Sequence, residues 1–381
     1  MQPGFDLAKG PPLPSPWKGS LQIPSDPSLP ALGILRSTDL ADAIPGIRLG
    51  DGPVELRLCN HVPGSRATFE VRAGDRRFAV KFYTEDPAPE ARLYERLAKV
   101  GLGSDSGARA PRLVTWDSEL KMVAMTWLEG PTANHILREG QGARAGHLAA
   151  QWLWHATRRR VKLGPPRGRT YMLYQAGLAA GALGAANPSL GAAAKGVAKM
   201  LFQEKLRERV NLVHGTLYDR HILDLGDGPG VIDWQQFGQG PAELDGGMFL
   251  ATISRAALRR PYAALEAMRA KETFLNETRN LLDRRLLEWY WAACLLHRAG
   301  SGLRTGRRTE PTPNAKELVE EAAQHARRAT CERSGGSIEA QPSDRRGSLF
   351  HLRRARPPSD SSHGRHPRAP PPDAERPDRR E

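Results

Sequence analysis

A chain of 381 residues, 39% of them hydrophobic, is long enough to bury a sizeable core and to form two or three lobes or domains. Its formal net charge of +14 favours anionic partners, nucleotides and nucleic acid among them, without choosing between them. Cys59, Cys294 and Cys331 lie too far apart for a disulfide framework or a paired-cysteine metal site. The chain lacks a secretory-type leader, and its apolar runs break off well short of the ~20 residues of a membrane span, so a cytoplasmic protein without a membrane partner is expected.

In chain order, residues 1–33 are laced with proline and glycine and are expected to stay outside the core. Leu56 to Val71 reads as strand, turn, strand, with Pro63-Gly64-Ser65 at the bend. Backbone amides freed by that turn are placed to face a phosphate, and Gly64 is the candidate. Arg77 to Tyr83 alternates as a strand, burying Phe78 and Val80 and carrying Lys81 in its middle. A lysine in mid-strand is costly unless its ammonium is paired. Glu90, opening the helical stretch from Pro89 to Val100, is the natural partner, with Glu95 as the other choice.

Further on, Met122 to Leu128 is an apolar strand closed by Gly130-Pro131. Helical spacing runs from Gly146 to Arg159, and the alanine-rich stretch from Met172 to Leu206 makes one or two more helices. Between Val213 and Phe249, Ile222-Leu223 and Val231-Ile232 flank a Gly/Asp turn and predict a hairpin. Its closure brings His221 and Asp233 to one cleft as two metal-binding side chains. Leu281 to Leu303 is an amphipathic helix in which Trp289, Tyr290 and Trp291 are read as packing residues. Residues 329–381 form a Ser/Pro/Arg-rich tail, where 327–381 holds 13 Arg against 8 acidic residues.

The layout resembles the aminoglycoside phosphotransferase and choline kinase-like family, small-molecule kinases with the protein-kinase fold. Their catalytic loop reads His-Gly-Asp, four variable residues, then Asn or Gln, and their metal loop reads Ile-Asp-Trp. His214 and Gly215 match, Ile232-Asp233-Trp234 matches, and Asp245 falls on the aspartate that braces the catalytic loop. The resemblance implies that Lys81 and Glu90 orient nucleotide phosphates and that Asp233 binds magnesium. It implies too that the 122–131 strand is the hinge, with Trp127 or Leu128 near the base, and that Arg66 after the Pro-Gly turn touches phosphate. Two positions depart from the pattern. Thr216 stands where the catalytic aspartate belongs, and His221 where the metal-binding amide belongs. A hydroxyl orients an acceptor but does not take its proton effectively, leaving Asp219 as the one carboxylate in the loop to substitute. An imidazole suits manganese or zinc better than magnesium.

The expected fold is therefore α+β and two-lobed: a small antiparallel-sheet N-lobe over 34–128 and a mainly helical C-lobe over 129–328 carrying the catalytic hairpin. The resemblance implies transfer of a phosphoryl group from ATP or GTP, with Mg2+ or Mn2+, to a hydroxyl of an unidentified small molecule. His214, Thr216 and Asp219 would form the catalytic loop, Lys81, Glu90, Gly64 and Trp127 the nucleotide site, and Asp233 and His221 the metal site. The alternative is a nucleotide-binding pseudokinase with a scaffold or regulatory role. Nucleic-acid binding through the basic tail rests on charge alone.

Overall fold

Alternation of apolar and polar residues from 54 to 83 builds three consecutive antiparallel strands, β1 (Val54–Val62), β2 (Arg66–Ala73) and β3 (Arg76–Tyr83). With β4 (Leu113–Asp117) and β5 (Met122–Thr126) they form a five-stranded sheet in the order β1-β2-β3-β5-β4. The computed structural model describes residues 23–37, 44, 46, 47, 54–304 and 306–331.

Side chains leave a strand alternately on its two faces, and here the two faces belong to different cores. Phe69, Val71, Phe78, Val80 and Phe82 pack on the outer side. There they meet Leu29, Leu32 and Leu35, the last two on α1 (Ala31–Ser37). Residues 23–33, expected from composition to stay outside the core, therefore contribute Leu29 and Leu32 to it, whose burial outweighs the surrounding prolines and glycine. Residues 1–22 and 332–381 of the two flanking segments lie outside the described residues. The inner face carries Lys81 and Tyr83 and packs, through Val123 and Met125, on the core of the larger lobe.

Between β3 and β4 runs α2 (Ala88–Leu97), whose first turn starts with Asp86 accepting the Ala88 amide at 2.9 Å. Beyond β5 the chain turns helical: α3 (Ala133–Arg138), α4 (Gly142–Ala156), α5 (Arg169–Ala186) and α6 (Pro188–Gln203). The alanine-rich stretch is thus two helices, divided at Asn187, whose side chain caps α6 through the Leu190 amide. After the catalytic segment follow α7 (Ala242–Arg259), α8 (Ala264–Thr278), α9 (Arg284–Arg304) and α10 (Ala315–Cys331). The central α9 packs against α5, α7 and α10. Trp289 and Tyr290 are fully enclosed and Trp291 nearly so, which makes them packing residues as expected.

Candidate active site

Two short strand pairs and tight turns, rather than long elements, hold the 211–240 segment. β6 (Asn211–Val213) pairs with β9 (Gly238–Gly240), and β7 (Ile222–Asp224) with β8 (Pro229–Val231). The ladder of the second pair continues through the Ile232 amide to the His221 carbonyl at 3.0 Å, placing His221 and Asp233 at the hairpin mouth as the sequence predicts. Asp233 has φ +67°, one of two non-glycine residues in the left-handed region among those described. Asp adopts this conformation more readily than most residues, and such strain gathers at functional sites.

Lys81 and Asp233, 152 positions apart in sequence, meet in one cleft. The Lys81 ammonium donates to Glu90 Oε1 and to Asp233 Oδ1, each at 3.1 Å, so the choice between Glu90 and Glu95 falls to Glu90. Burial disfavours the charge on Lys81, but the two carboxylates more than offset it and its pKa is raised. Tyr83 and Tyr94 donate to Glu90 at 2.5 and 3.1 Å, fixing it from β3 and from the next turn of α2. Nothing in the sequence singles out these two tyrosines, although Tyr94 sits one helical turn after Glu90. Burial also opposes the charge on Asp233, yet Lys81, His221 and Arg66 hold its pKa well below the usual carboxylate range.

On the other side of Asp233, His221 Nε2 stands 3.3 Å from Oδ2. Its Nδ1 lies 2.8 Å from the Thr216 carbonyl, which accepts a hydrogen only, so this bond assigns the proton to Nδ1. Burial drives the His221 pKa down to about 3, leaving the ring neutral near pH 7. A neutral ring with its proton on Nδ1 turns an Nε2 lone pair toward a carboxylate lone pair. That contact is repulsive alone and is satisfied by a cation between them. The donor set, one carboxylate and one imidazole, fits a divalent metal completed by phosphate oxygens and water, and manganese suits it better than magnesium. Among the described residues no cluster of three or more His, Cys, Asp or Glu is gathered as an all-protein metal cage.

The loop itself is braced from below. Asp245, on the first turn of α7, accepts the His214 amide at 2.7 Å and the Gly215 amide at 2.8 Å. Burial pushes its carboxyl up to about 7, against the pull of both amides. The His214 ring donates from Nε2 to the Ile232 carbonyl at 2.9 Å and packs on Trp234, with burial lowering its pKa to about 4. His214 thus ties the two loops together. Gly215 has φ +78°, and a Cβ there would stand 2.2 Å from the Gln236 carbonyl oxygen. Gly215→Ala is expected to cost roughly 2–3 kcal/mol from backbone strain and steric displacement together; thermal unfolding within about half a kcal/mol of wild type would contradict this account of the loop.

Three predicted residues have other partners in the structure. The Gly64 amide, proposed to face a phosphate, donates to Asp26 Oδ2 at 2.9 Å and is therefore engaged by the N-terminal segment. Arg66, beside it, does reach the site, donating to Gln235 and standing 3.8 Å from Asp233. The Trp127 ring is covered by the Arg77 guanidinium 4.9 Å from its centroid, next to a cluster in which Arg57, Arg72 and Arg77 surround the buried Glu70. Asp219 opens a 3-10 turn, Asp219–His221. It accepts from Asn134 at 2.5 Å and from the Arg220 amide at 2.8 Å. The cavity that it lines includes neither Thr216, Lys81 nor Asp233. Thr216 Oγ1 has His214 Nδ1 at 3.4 Å as its neighbour.

This fold with this cleft is that of a kinase-like phosphotransferase. A family model described as the phosphotransferase enzyme family matches residues 63–279, more than half of the chain, and the chain belongs to that family. Among solved structures it is similar to a choline/ethanolamine kinase family protein from Mesorhizobium loti: 18% identity, TM-score 0.50, covering 79% of this chain and 95% of that one. A thermostable mutant of aminoglycoside phosphotransferase APH(4)-Ia in apo form gives 18% identity and TM-score 0.50, covering 74% and 96%. The ternary complex of another such mutant with ADP and hygromycin B gives 16% identity, TM-score 0.50 and coverage of 74% and 95%. At these identities the likeness establishes the fold. No curated protein gives a sequence match. The two-lobed α+β fold and the family resemblance read from the sequence are both borne out. Among the described residues no helix is long and apolar enough to cross a membrane.

Proposed function

We propose that the chain transfers the terminal phosphoryl group of ATP or GTP, bound with a divalent cation, to a hydroxyl of a small molecule. The observation that carries this reading is the meeting of Lys81, Glu90 and Asp233 at 3.1 Å contacts. In the reading, Lys81 holds the nucleotide phosphates, Glu90 fixes Lys81, and Asp233 with His221 holds the cation. When bound, the cation supplies charge neutralisation to the transferring group. Thr216 orients the acceptor hydroxyl. Phosphoryl transfer through a loose transition state depends mostly on positioning and electrostatics, so loss of the carboxylate at 216 slows the step without removing its basis. The ADP complex of the related fold supports a nucleotide in this cleft.

Metal-dependent stabilisation tests it. A nucleotide at 100 times its Kd adds about 2.7 kcal/mol to the folded state. Thermal unfolding with ATP or GTP is expected to shift upward only in the presence of metal, and more with Mn2+ than with Mg2+ because of His221. Absence of any shift with either nucleotide and either metal would end this assignment.

A second reading, a nucleotide-binding pseudokinase with a scaffold or regulatory role, is favoured by one observation: Asp219 makes its contacts with Asn134 and Arg220, leaving Thr216 without a nearby carboxylate partner.

A further inference from the structure

The cavity that takes Asp219 is about 190 Å3 and is lined by Arg220, Arg255, Arg259, Arg260 and Arg298, with Asn134 at its edge. These arginines come from three places: the loop after Thr216, the end of α7 and its C-cap, and the middle of α9. Among the described residues none of the five makes a salt bridge, and Asp219 is the one carboxylate on the wall. Arg298 is only 6% exposed, and its Nε has no hydrogen-bond partner. Arg220 and Arg298 both lie over the Tyr218 ring, 4.5 and 4.4 Å from its centroid. Arg255 pays for this crowding: burial, and then Arg298, Arg259 and Arg220, draw its pKa down to about 10.

Guanidinium groups stay ionised in proteins, so holding buried Arg298 and half-buried Arg255 and Arg260 together, beside exposed Arg220 and Arg259 and with one carboxylate among them, costs folding free energy that a bound anion would offset. We infer that this pocket binds the acidic end of the acceptor, and that the acceptor is a phosphate ester carrying a free hydroxyl. A lone carboxylate would neutralise one charge of the surplus, whereas a phosphomonoester carries about −1.5 to −2 near pH 7 and three acceptor oxygens for guanidinium forks. The volume is below the roughly 300–1,000 Å3 of a pocket enclosing a drug-sized ligand, so it takes a headgroup and leaves the rest of the molecule outside. The chain itself links this cavity to the cleft: the Tyr218 amide bonds to the Thr216 carbonyl at 2.7 Å, and His221 at the loop's end faces Asp233. One six-residue loop thus joins the arginine pocket to the metal end. This inference rests on the reading above, in which Thr216 orients the acceptor hydroxyl.

Calorimetric titration of the metal-free full chain, at constant ionic strength, with inorganic phosphate and with glycerol 2-phosphate tests it. Both are expected to bind, and the Arg255→Gln/Arg259→Gln double variant to bind both at least tenfold more weakly. Asp219→Asn, which removes the opposing charge, is expected to bind both several-fold more tightly, a gain that damage to the fold would not produce. Wild-type protein that binds neither probe, or equal affinities across the three proteins, would overturn the site. Phosphate binding that disappears in Lys81→Met but survives in the double variant would place the anion in the nucleotide cleft instead. Binding of inorganic phosphate with exclusion of the ester would overturn the acceptor assignment. Arginine-dependent binding in a protein without a metal-dependent nucleotide shift would refute phosphoryl transfer and leave the anion site standing.

Discussion

Thr216→Asp is expected to raise nucleotide turnover by about 100- to 10,000-fold, the range in which a positioned general base contributes. The substitution puts a carboxylate at the loop position where the family pattern carries one, while Asp219 is engaged by Asn134 and the Arg220 amide. Gly215 and the Asp245 brace already set the backbone there, with both loop amides bound at 2.7 and 2.8 Å. Thr216 is half-buried, and the polar contact of its Oγ1 is with His214 Nδ1 at 3.4 Å, at the limit of a hydrogen bond. Hydrolysis of ATP with water as acceptor measures the effect without knowledge of the natural acceptor. A variant that still binds nucleotide but turns over no faster than wild type would favour the pseudokinase. The same experiment therefore separates a slow enzyme from a binding protein.

Asp233→Asn is expected to act in the opposite direction, removing the metal-dependent part of nucleotide stabilisation and lowering any turnover by on the order of 100- to 1,000-fold or more. Asparagine keeps the shape but surrenders the charge that faces Lys81, His221 and Arg66. Lys81 retains Glu90, so the fold should lose less than the roughly 3–5 kcal/mol of a fully orphaned buried ion. Unfolding curves recorded with nucleotide alone, with metal alone and with both isolate the term in question. If the combined shift survived in Asp233→Asn, the cation would have to be held elsewhere and the assignment of Asp233 and His221 would fail.

How much of this was legible in the sequence depended on whether a residue's role is set by its neighbours along the chain. Lys81 stood out because a lysine in an apolar strand demands a partner, and Asp233 because it ends a hairpin strand. Glu90 and Glu95 could not be separated locally; the orientation of α2 against β3 decides between them. The partners of Asp219 were not legible because a single 3-10 turn controls which side of the loop it faces, and three residues carry too little pattern to fix that. Arg298 belongs to an amphipathic helix and resembles any residue on a polar stripe, yet tertiary packing encloses it. Its companions lie on other segments, so the arginine pocket has no signature in any one stretch. Leu29 and Leu32 were passed over because the surrounding prolines and glycine dominate the local composition.

The Asp26 contact to the Gly64 amide and the leucines beneath the outer sheet face bear on where this protein may be cut. The family-model match begins at residue 63, beyond both α1 and β1. A fragment started there would strip one wall from the smaller lobe and release the tip of its first hairpin. The stretch that the family model matches and the stretch that holds itself together in water are, for this chain, two different lengths of polypeptide.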